Sequence, residues 1–176
     1  MAGLLRVAIL GAESSGKSTL AAALAERQGT VWVPEYLREF VETRGRVPVA
    51  DDQFFIASTQ VAREREASAL ARGVLICDTT PLMTVLYSRH YFGGEDAQLA
   101  ALAADTQYDL TLVTAPDVPW VADGLQRESE AVRQLIYRQL LDELVARRIP
   151  HHILHGTLVQ RMAQAMPLIE RAIANA

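Results

Sequence analysis

The sequence predicts a three-layer α/β fold in which a five-stranded parallel sheet carries helices on both faces. Three observations support this prediction. Short apolar segments typical of buried strands alternate with longer segments of helical periodicity. Strands that alternate with helices need crossover connections, which make neighbouring strands parallel. The chain has 176 residues, half of them hydrophobic, which suits one compact domain. We therefore treat residues 1–176 as a single domain.

Each predicted strand is a short apolar or β-branched run with a turn-forming or polar residue at its end. The first run ends at Gly11, and the third is bounded by Gly73 and Asp78. Because the third run is apolar throughout, it indicates a strand buried on both faces of the sheet. The predicted strands cover 4–10, 30–34, 74–77, 108–114 and 149–155.

The predicted helices follow these strands in turn. An alanine- and leucine-rich stretch follows the first strand, and aromatic and aliphatic residues at helical spacing follow the second. Asp51 or Asp52 caps the third helix, and Gly73 ends it. The next helical stretch is broken around Gly93, and Thr157 is the expected N-cap of the last helix. The predicted helices cover 18–28, 35–44, 51–72, 81–104, 128–148 and 157–174.

Composition and charge argue against several classes of partner. The formal net charge is −4 and no basic run occurs, so no nucleic-acid partner is expected. Charges interrupt every apolar stretch well before the ~18 residues that a membrane span needs. The N-terminal segment lacks the basic leader and cleavage site of a secretory signal, and the single cysteine, Cys77, is expected to be buried and inert. These features predict a cytoplasmic protein with a small-molecule partner.

The glycine-rich sequence after the first strand predicts a phosphate-binding loop. It reads Gly-Ala-Glu-Ser-Ser-Gly-Lys-Ser and fits the P-loop pattern GxxxxGK[ST], between a predicted strand and a predicted helix. In such a loop the backbone N–H groups and the positive end of the helix dipole face the phosphates. We predict that it binds ATP. The predicted nucleotide-binding residues are Gly11, Glu13, Ser14, Ser15, Gly16, Lys17, Ser18 and Thr19.

Two side chains of the loop have predicted roles in phosphoryl transfer. Lys17 reaches the β- and γ-phosphates and is a catalytic candidate, and Ser18 offers its hydroxyl to Mg²⁺. Lys17 is the only lysine among 17 basic residues, the rest being arginine. A guanidinium is a broad planar fork, whereas an ammonium is compact. We therefore expect that arginine cannot replace lysine at position 17.

Two carboxylates that follow predicted strands are candidates for metal and acceptor chemistry. Asp78 ends the third strand and is predicted to hold Mg²⁺; the alternative is an N-cap for the helix that starts at Pro81. Glu35 follows the second strand, where it would accept the proton of the acceptor hydroxyl or hold a ribose hydroxyl. The alternative for Glu35 is a solvated glutamate in the first turn of a helix.

Two narrower segments, taken with the loop, resemble the nicotinamide-riboside kinase domain of NadR-type NAD-salvage proteins, a P-loop kinase of an AAA-like ATP-binding family. They are Pro-Glu-Tyr-Leu-Arg-Glu-Phe at 34–40 and Asp-Val-Pro-Trp-Val-Ala-Asp-Gly-Leu-Gln-Arg at 117–127. The resemblance spans most of the chain. It implies phosphorylation of the ribose 5′-hydroxyl of nicotinamide riboside by ATP and Mg²⁺, giving nicotinamide mononucleotide, and it implies that Tyr36 belongs to the substrate site.

The sequence departs from this family in two respects. Where the family typically reads Asp-Thr-Asp after the third strand, this chain has Asp78, Thr79 and Thr80. In the family the kinase domain often follows an adenylyltransferase domain, whereas this chain begins at the strand before the phosphate loop. We therefore expect a stand-alone kinase.

Further substrate contacts are predicted in the helix after the second strand and in the loop around Trp120. Arg38 shares a helical face with Glu35, and it either brackets the substrate or forms a surface ion pair. Trp120 lies in a loop, where its ring would stack on a cationic pyridinium or pack against the domain. Asp123 would offset the same charge, or it would serve the turn before Gly124.

A lid is predicted at about 115–133. Arg127 and Arg133 lie where the lid meets the next helix, and one of them is expected to neutralise the transferring phosphoryl group. The alternative for each is a solvated surface charge. An aromatic and basic cluster before Gly93 lines a substrate cavity or simply packs, and we favour packing. Its members are Tyr87, Arg89, His90, Tyr91 and Phe92.

Two other functions stay open. The same fold and loop serve kinases of other nucleosides, nucleotides or metabolites, because acceptor sites differ while the fold is shared. A non-kinase, ATP-dependent regulatory switch is the alternative outside small-molecule kinases.

Overall fold

The computed structural model of the chain describes residues 3–121 and 129–176. These residues form a five-stranded parallel sheet with the strand order β2-β3-β1-β4-β5. The strands are β1 (Leu5–Leu10), β2 (Trp32–Val33), β3 (Val74–Asp78), β4 (Leu110–Thr114) and β5 (His152–Leu154). The predicted parallel sheet is therefore confirmed, with β1 at its centre.

The helices follow the strands as predicted. They are α1 (Lys17–Gln28), α2 (Tyr36–Arg44), α3 (Gln53–Ser68), α4 (Pro81–Phe92), α5 (Ala97–Asp105), α6 (Glu130–Ala146) and α7 (Leu158–Ala174). A short 3₁₀ turn at Ala50–Asp52 precedes α3. The predicted break near Gly93 is confirmed, since Gly93 ends α4 with φ of 77°. Thr157 caps α7, and its hydroxyl accepts a hydrogen bond from the Gln160 N–H.

The side chains of β1 alternate between two cores, one on each face of the sheet. Val7 and Ile9 pack with α1 and α7 on one face. Ala8 and Leu10 pack with α4 and α6 on the other. This alternation follows from the two-residue period of a strand. It confirms the three-layer arrangement with helices on both faces.

Several elements are shorter than predicted, each for a local reason. β2 is an edge strand that ends before Pro34, which has no backbone N–H to donate. The strand β5 begins only at His152, because the Ile149 N–H donates to the Leu144 carbonyl at the end of α6. Ser129 caps α6, so this helix starts at Glu130.

Helix α3 is fastened to the sheet by a buried carboxylate. Glu64 is fully buried; it forms an ion pair with Arg6 and accepts hydrogen bonds from the Tyr108 hydroxyl at 2.9 and 3.0 Å. Burial raises the pKa of Glu64, opposed by the hydrogen bond from Tyr108 and the charge of Arg6. Cys77 lies beside this group, and burial raises the pKa of its thiol, so the thiolate is disfavoured.

The carboxyl ends of the strands meet at one edge of the sheet, as in other parallel α/β folds. The phosphate loop follows β1 there, Glu35 follows β2, Asp78 ends β3 and Gly156 follows β5. No helix in the described part of the chain combines the length and the apolar character of a membrane span.

Candidate functional site

Close packing against β4 shapes the start of the phosphate loop. A Cβ atom at Gly11 would lie 2.2 Å from Thr114 Oγ1 and 2.8 Å from Ser15 Oγ, so only glycine fits there. The Ser15 hydroxyl donates to the Ala12 carbonyl at 2.5 Å and lies 2.8 Å from Thr114 Oγ1. At the other end, Gly16 has φ of 84° directly before α1. The loop is thus built into the sheet edge, with the helix N-terminus behind it.

The loop forms one wall of a cavity of about 430 Å³. Every residue from Glu13 to Thr19 lines it. Lys17 is only 6% exposed, and its Nζ lies 3.3 Å from the Ala12 carbonyl, so the ammonium is held over the loop. The far side of the cavity is formed by Gly156 and Leu158, near the start of α7. A loop of N–H groups, one ammonium and an open far end suit a nucleoside polyphosphate.

Ser18 and Asp78 meet at the floor of the site. The Ser18 hydroxyl donates to Asp78 Oδ2 at 2.6 Å. Asp78 is fully buried, and its Oδ1 has no hydrogen-bond partner among the described residues. A buried carboxylate oxygen without a partner is costly unless a ligand satisfies it. A hydroxyl beside such a carboxylate is a donor set that Mg²⁺ accepts, so these residues fit the predicted metal.

The alternative role for Asp78 is wrong, because the N-cap of α4 is Thr80 and Pro81 is its first residue. Within residues 3–121 and 129–176, no cluster of three or more His, Cys, Asp or Glu side chains is arranged to hold a metal ion. A metal held at Ser18 and Asp78 would therefore keep most of its ligands as water and phosphate oxygens.

A second, mainly apolar cavity of about 190 Å³ lies beside the first. Glu13, Glu35 and Val41 line both cavities, so the two adjoin at these residues, two of which are carboxylates. Polar lining comes from Gln53, Gln60, Thr79 and Thr84. The apolar and aromatic lining residues are Leu37, Val41, Val47, Pro48, Ile56, Met83, Tyr87, Tyr91 and Phe92. This shape and lining suit the ring of a small organic acceptor.

We favoured a packing role for the aromatic cluster of α4, but three of its residues line the second cavity. Tyr87, Tyr91 and Phe92 line the second cavity, and the rings of Tyr87 and Tyr91 are nearly parallel with centroids 6.2 Å apart. Arg89 and His90 do not line this cavity, and Arg89 forms ion pairs with Glu95 and Glu143. Tyr87 also packs against the core on that face of the sheet, as we predicted. The three aromatic residues thus line the second cavity in addition to packing.

Gln60 of α3 holds the ends of β2 and β3 in place. Its Oε1 accepts a hydrogen bond from the Tyr36 N–H at 2.8 Å. Its Nε2 donates to the carbonyls of Pro34 at 3.3 Å and Asp78 at 3.4 Å. One buried amide thus fixes the two segments that carry Glu35 and Asp78. No local sequence pattern marks this role, since the three contacts span 18 to 26 residues.

The substrate residues predicted on α2 separate in the structure. Arg38 lines the nucleotide cavity together with Glu35. Tyr36 is buried and lines neither cavity; its ring packs edge-on against Phe40 and Phe55. Because the first turn of α2 faces α3, Tyr36 packs in the interior and does not reach either cavity.

The predicted lid is described at 115–121 and 129–133. Trp120 is 36% exposed and lines neither cavity, but the next residue, Val121, is tied to the phosphate loop. The Val121 N–H donates to Ser14 Oγ at 3.0 Å, and that hydroxyl lies 3.3 Å from the Val121 carbonyl. Asp123 and Arg127 lie outside the described residues.

Arg133 lies beneath the phosphate loop and lines neither cavity. It is 3% exposed, and it donates to the carbonyls of Ser14 at 3.0 Å and Pro116 at 3.4 Å. Its guanidinium also forms an ion pair with Glu130 at 2.7 Å. The structure therefore does not bring Arg133 to the transferring phosphoryl group, because these carbonyls hold the side chain.

Arg161, in the first turns of α7, is a site residue that the sequence did not reveal. It is 2% exposed, lines the nucleotide cavity and donates to the Ser15 carbonyl. It also donates to the Ala115 carbonyl at 2.8 Å and to Asp117 Oδ1 at 2.7 Å. One signal was available: Arg161 interrupts the otherwise apolar face that α7 turns to the sheet.

Asp117 joins the start of the lid to the loop after β5. Its Oδ2 accepts a hydrogen bond from the Gly156 N–H at 2.8 Å, and His155 Nδ1 lies 3.5 Å away. Burial tends to raise the pKa of Asp117, but the Gly156 N–H and the Arg161 guanidinium outweigh it, so the pKa is lowered. The carboxylate is thus held in its charged form at the edge of the nucleotide cavity.

Comparison with curated proteins gives one clear similarity. The chain is 34% identical over 143 residues to the trifunctional NAD biosynthesis/regulator protein NadR of Escherichia coli (strain K12). The match covers 79% of this chain and 35% of that protein. The chain therefore spans about a third of the length of the curated relatives that it matches.

Solved structures show the same fold. A NadR protein in complex with NR superposes with a TM-score of 0.82 and 22% identity, covering 97% of this chain and 52% of that one. NadR in complex with NAD and AMP-PNP gives 0.79 and 21%, with coverages of 97% and 49%. Thymidylate kinase from Ehrlichia chaffeensis gives 0.65 and 16%, with coverages of 95% and 99%. The predicted nucleoside- and nucleotide-kinase-like fold is confirmed.

A family assignment follows from the sequence match that covers most of the described chain. The family described as AAA domain matches residues 6–161, from β1 to the arginine of α7 that touches the phosphate loop. The match includes the loop, both carboxylates and the second cavity. This chain belongs to the AAA domain family.

Proposed function

We propose that the chain is an ATP-dependent kinase that phosphorylates the ribose 5′-hydroxyl of nicotinamide riboside, giving nicotinamide mononucleotide. One observation carries the proposal: a polyphosphate cavity and an apolar, aromatic cavity adjoin at Glu13 and Glu35. A kinase needs this arrangement, because the acceptor hydroxyl must meet the γ-phosphate. We further propose one kinase domain over residues 1–176.

The similarity to NadR supports the choice of reaction and substrate. NadR is described as an NAD biosynthesis protein, and solved NadR structures contain NR, or NAD with AMP-PNP. We propose that the region shared with NadR has the riboside kinase activity, with ATP as donor. The fold and the loop are compatible with this assignment, and the acceptor cavity has the size and lining for a single ring.

The donor site follows from the first cavity. The triphosphate lies along the N–H groups of the loop, with Lys17 over the β- and γ-phosphates. The adenine extends toward Val118 and Leu158 at the far end of the cavity. Ser18 and Asp78 would hold Mg²⁺, which when bound would neutralise charge on the phosphate oxygens.

The acceptor reacts at the junction of the two cavities. The 5′-hydroxyl oxygen forms a bond to the γ-phosphorus while the bond from that phosphorus to the β,γ-bridging oxygen breaks, and ADP leaves. Glu35 accepts the proton of the hydroxyl, since it lines both cavities. Arg38, on the same wall as Glu35, offers a cation to the phosphoryl group.

The nicotinamide ring occupies the second cavity. Its cationic ring favours contact with the faces of electron-rich aromatic side chains, and Tyr87 and Tyr91 supply them on the wall. Because Trp120 lines neither cavity, its stack on the ring remains a proposal from the sequence. Tyr36 acts by fixing α2. Asp123 beside the ring and Arg127 at the phosphoryl group remain proposals from the sequence.

The departure from the family motif does not touch the acceptor wall. Thr80, which stands where the family typically has aspartate, is buried at the start of α4 and lines neither cavity of the site. Thr79, the neighbouring residue, does line the acceptor cavity. We therefore keep nicotinamide riboside as the proposed acceptor. We also propose a cytoplasmic location, where ATP is supplied, and no nucleic-acid partner, in line with the net charge of −4.

ADP release from the purified protein tests this function. ATP and Mg²⁺ are supplied with nicotinamide riboside, adenosine, cytidine, uridine or thymidine, one at a time. We expect ADP only with an acceptor, fastest with nicotinamide riboside, and none from Lys17→Ala. Consumption of another nucleoside with nicotinamide riboside inert would overturn the substrate assignment. Acceptor-independent turnover would support a regulatory switch instead.

A further inference from the structure

Two buried arginines fasten the phosphate loop to the loop that follows β4. Arg133 donates to the carbonyls of Ser14 and Pro116. Arg161 donates to the carbonyls of Ser15 and Ala115. The two guanidinium groups therefore bridge consecutive carbonyls on one loop to consecutive carbonyls on the other. We call this pair, Arg133 and Arg161, the arginine bridges.

The arginine bridges come from different helices and are both enclosed. Arg133 lies on α6 and is 3% exposed, while Arg161 lies on α7 and is 2% exposed. Each Nε atom is buried without a hydrogen-bond partner among the described residues. Two cations thus remain in the interior although part of their hydrogen-bonding capacity is unused. Burial of this kind is costly, which points to a specific role.

The carbonyls explain that role. In a phosphate loop the N–H groups must face the anion, so the carbonyls of the same peptides turn toward the protein interior. There they need donors, and a planar guanidinium can serve two carbonyls in a fixed geometry. The bridges at Ser14 and Ser15 thus hold two successive peptides of the loop in the orientation that phosphate binding needs.

The charges act in the same direction. Arg133 is paired with Glu130 and Arg161 with Asp117, and both carboxylates are themselves solvent-accessible, with side chains 51% and 35% exposed. Solvent screens these partners, whereas both guanidinium groups are buried against the loop, and Arg161 also lines the nucleotide cavity. A net positive potential therefore remains at the loop. Its attraction for a ligand increases with the number of phosphates that the ligand carries.

We propose that Arg133 and Arg161 are positioning residues that hold the phosphate loop in its anion-binding conformation and select polyphosphates over nucleosides. The proposal rests on the nucleotide-binding part of the proposed function and does not depend on the acceptor. The two residues act through Ser14 and Ser15 and are not assigned contacts to the reacting atoms.

Nucleotide binding by variants tests the arginine bridges. Calorimetry measures the affinities of wild type, Arg161→Met and Arg133→Met for ATP, ADP, AMP and adenosine. We expect each variant to bind ATP about tenfold more weakly, the scale of losing hydrogen bonds to a charged group. The loss should shrink with each phosphate removed and vanish for adenosine, a graded response that general destabilisation would not produce.

Conservative variants and matched controls complete the experiment. Arg161→Lys and Arg133→Lys keep the charge but cannot bridge two carbonyls in one plane, so their ATP affinity should fall between wild type and the methionine variants. They also stand in if a methionine variant does not fold. Arg138→Met on α6 and Arg171→Met on α7 remove exposed arginines from the same helices and should bind ATP like wild type.

Equal losses for ATP and adenosine, or unchanged ATP affinity in both methionine variants and both lysine variants, would overturn the inference. Wild type that binds ATP but phosphorylates no nucleoside would reject the kinase proposal alone, because the arginine bridges would still be measured by binding. Wild type that binds no ATP would reject both.

Discussion

The Ser18 hydroxyl donates to Asp78 Oδ2 at 2.6 Å, which joins the end of the phosphate loop to the end of β3. The two residues lie 60 positions apart in the chain and meet because β1 and β3 are parallel neighbours. The other oxygen of Asp78 is buried with no partner among the described residues. This pair is therefore the centre from which the metal chemistry of the site can be tested.

Asp78→Asn should lower kcat at least 100-fold, since the amide loses the negative charge that attracts Mg²⁺. The Mg²⁺ concentration needed for half-maximal ADP release should rise as well. ADP release across a Mg²⁺ titration measures both. Asp142→Asn removes an exposed carboxylate from α6 and should behave like wild type. An Asp78→Asn enzyme with an unchanged Mg²⁺ requirement would contradict the metal role.

Lys17→Arg should lose turnover about as fully as Lys17→Ala, by two or more orders of magnitude. Lys17 is 6% exposed over a tightly curled loop, where a planar guanidinium does not fit. Single-turnover ADP formation measures the loss, and far-ultraviolet circular dichroism checks the fold. Arg171→Lys is the reverse exchange at an exposed position and should be neutral. Turnover of Lys17→Arg within threefold of wild type would count against the role of Lys17.

Tyr91→Leu should raise KM for the acceptor roughly fivefold to tenfold and leave KM for ATP unchanged. The substitution keeps an apolar wall in the second cavity but removes the ring face that a cationic ring contacts. Trp120→Ala tests the stack that the sequence predicts: a rise in KM for the acceptor alone would support it, and unchanged KM values would reject it. Initial rates over a matrix of acceptor and ATP concentrations give both constants. A parallel rise of both KM values would indicate a structural effect.

Thr79→Gly should destabilise the protein less than Thr80→Gly, by roughly 1–2 kcal/mol. Both threonines are buried, but Thr79 has φ of 76°, a strained conformation for a β-branched residue, whereas Thr80 has φ of −145°. Glycine relieves backbone strain only at Thr79. Both substitutions remove a threonine side chain and raise the backbone entropy of the unfolded chain by a similar amount. Urea unfolding of the two variants measures the difference. Equal destabilisation would contradict it.

Asp117 should make stability depend on acidity. Its pKa is lowered in the folded protein from an ordinary value of 3.8, because the Gly156 N–H and Arg161 outweigh the effect of burial. The stabilisation is therefore fully present above the unfolded pKa, and it is lost as the pH falls through the folded pKa. Asp117→Asn should be less stable than wild type at neutral pH. The difference should shrink below about pH 4.

Chemical unfolding of wild type and Asp117→Asn at several pH values provides this comparison. The groups that face Asp117 include the Arg161 guanidinium, 2.7 Å from Oδ1, and His155, whose Nδ1 lies 3.5 Å from Oδ2. Tyr137 also interacts electrostatically with Asp117. A stability difference that stays constant down to about pH 2.5 would show that the carboxylate charge is not responsible.

Local sequence patterns predicted much of this molecule. The phosphate loop is a contiguous motif between a strand and a helix, so its residues and the role of Lys17 could be inferred from spacing alone. Glu35 and Asp78 were predicted because they follow strands whose carboxyl ends meet at one edge. The elements themselves were found from apolar periodicity, with errors confined to their ends, as at β2 and β5.

The contacts that were missed are long-range ones. Arg161 reaches a carbonyl 146 positions away, and Gln60 joins the first residue of α2 to the last residue of β3. No local pattern marks a side chain whose partner is a distant main-chain atom. Tyr36 shows the converse error: it belongs to a recognisable segment, yet its ring packs against Phe40 and Phe55 in the interior. Which way a helix turns its first residue depends on what covers it.

Two side chains of helix α3 bind the sheet at opposite ends of its strands. Gln60 binds at the carboxyl end of β3, and Glu64 binds Arg6 and Tyr108, near the starts of β1 and β4. Since these two anchors are about one turn apart, they oppose both sliding and rotation of α3 against the sheet. Gln53, Ile56 and Gln60 of the same helix line the second cavity. We therefore expect a change of ligand preference in a descendant of this protein to come from exchanging individual side chains, and not from shifting the helix beneath them.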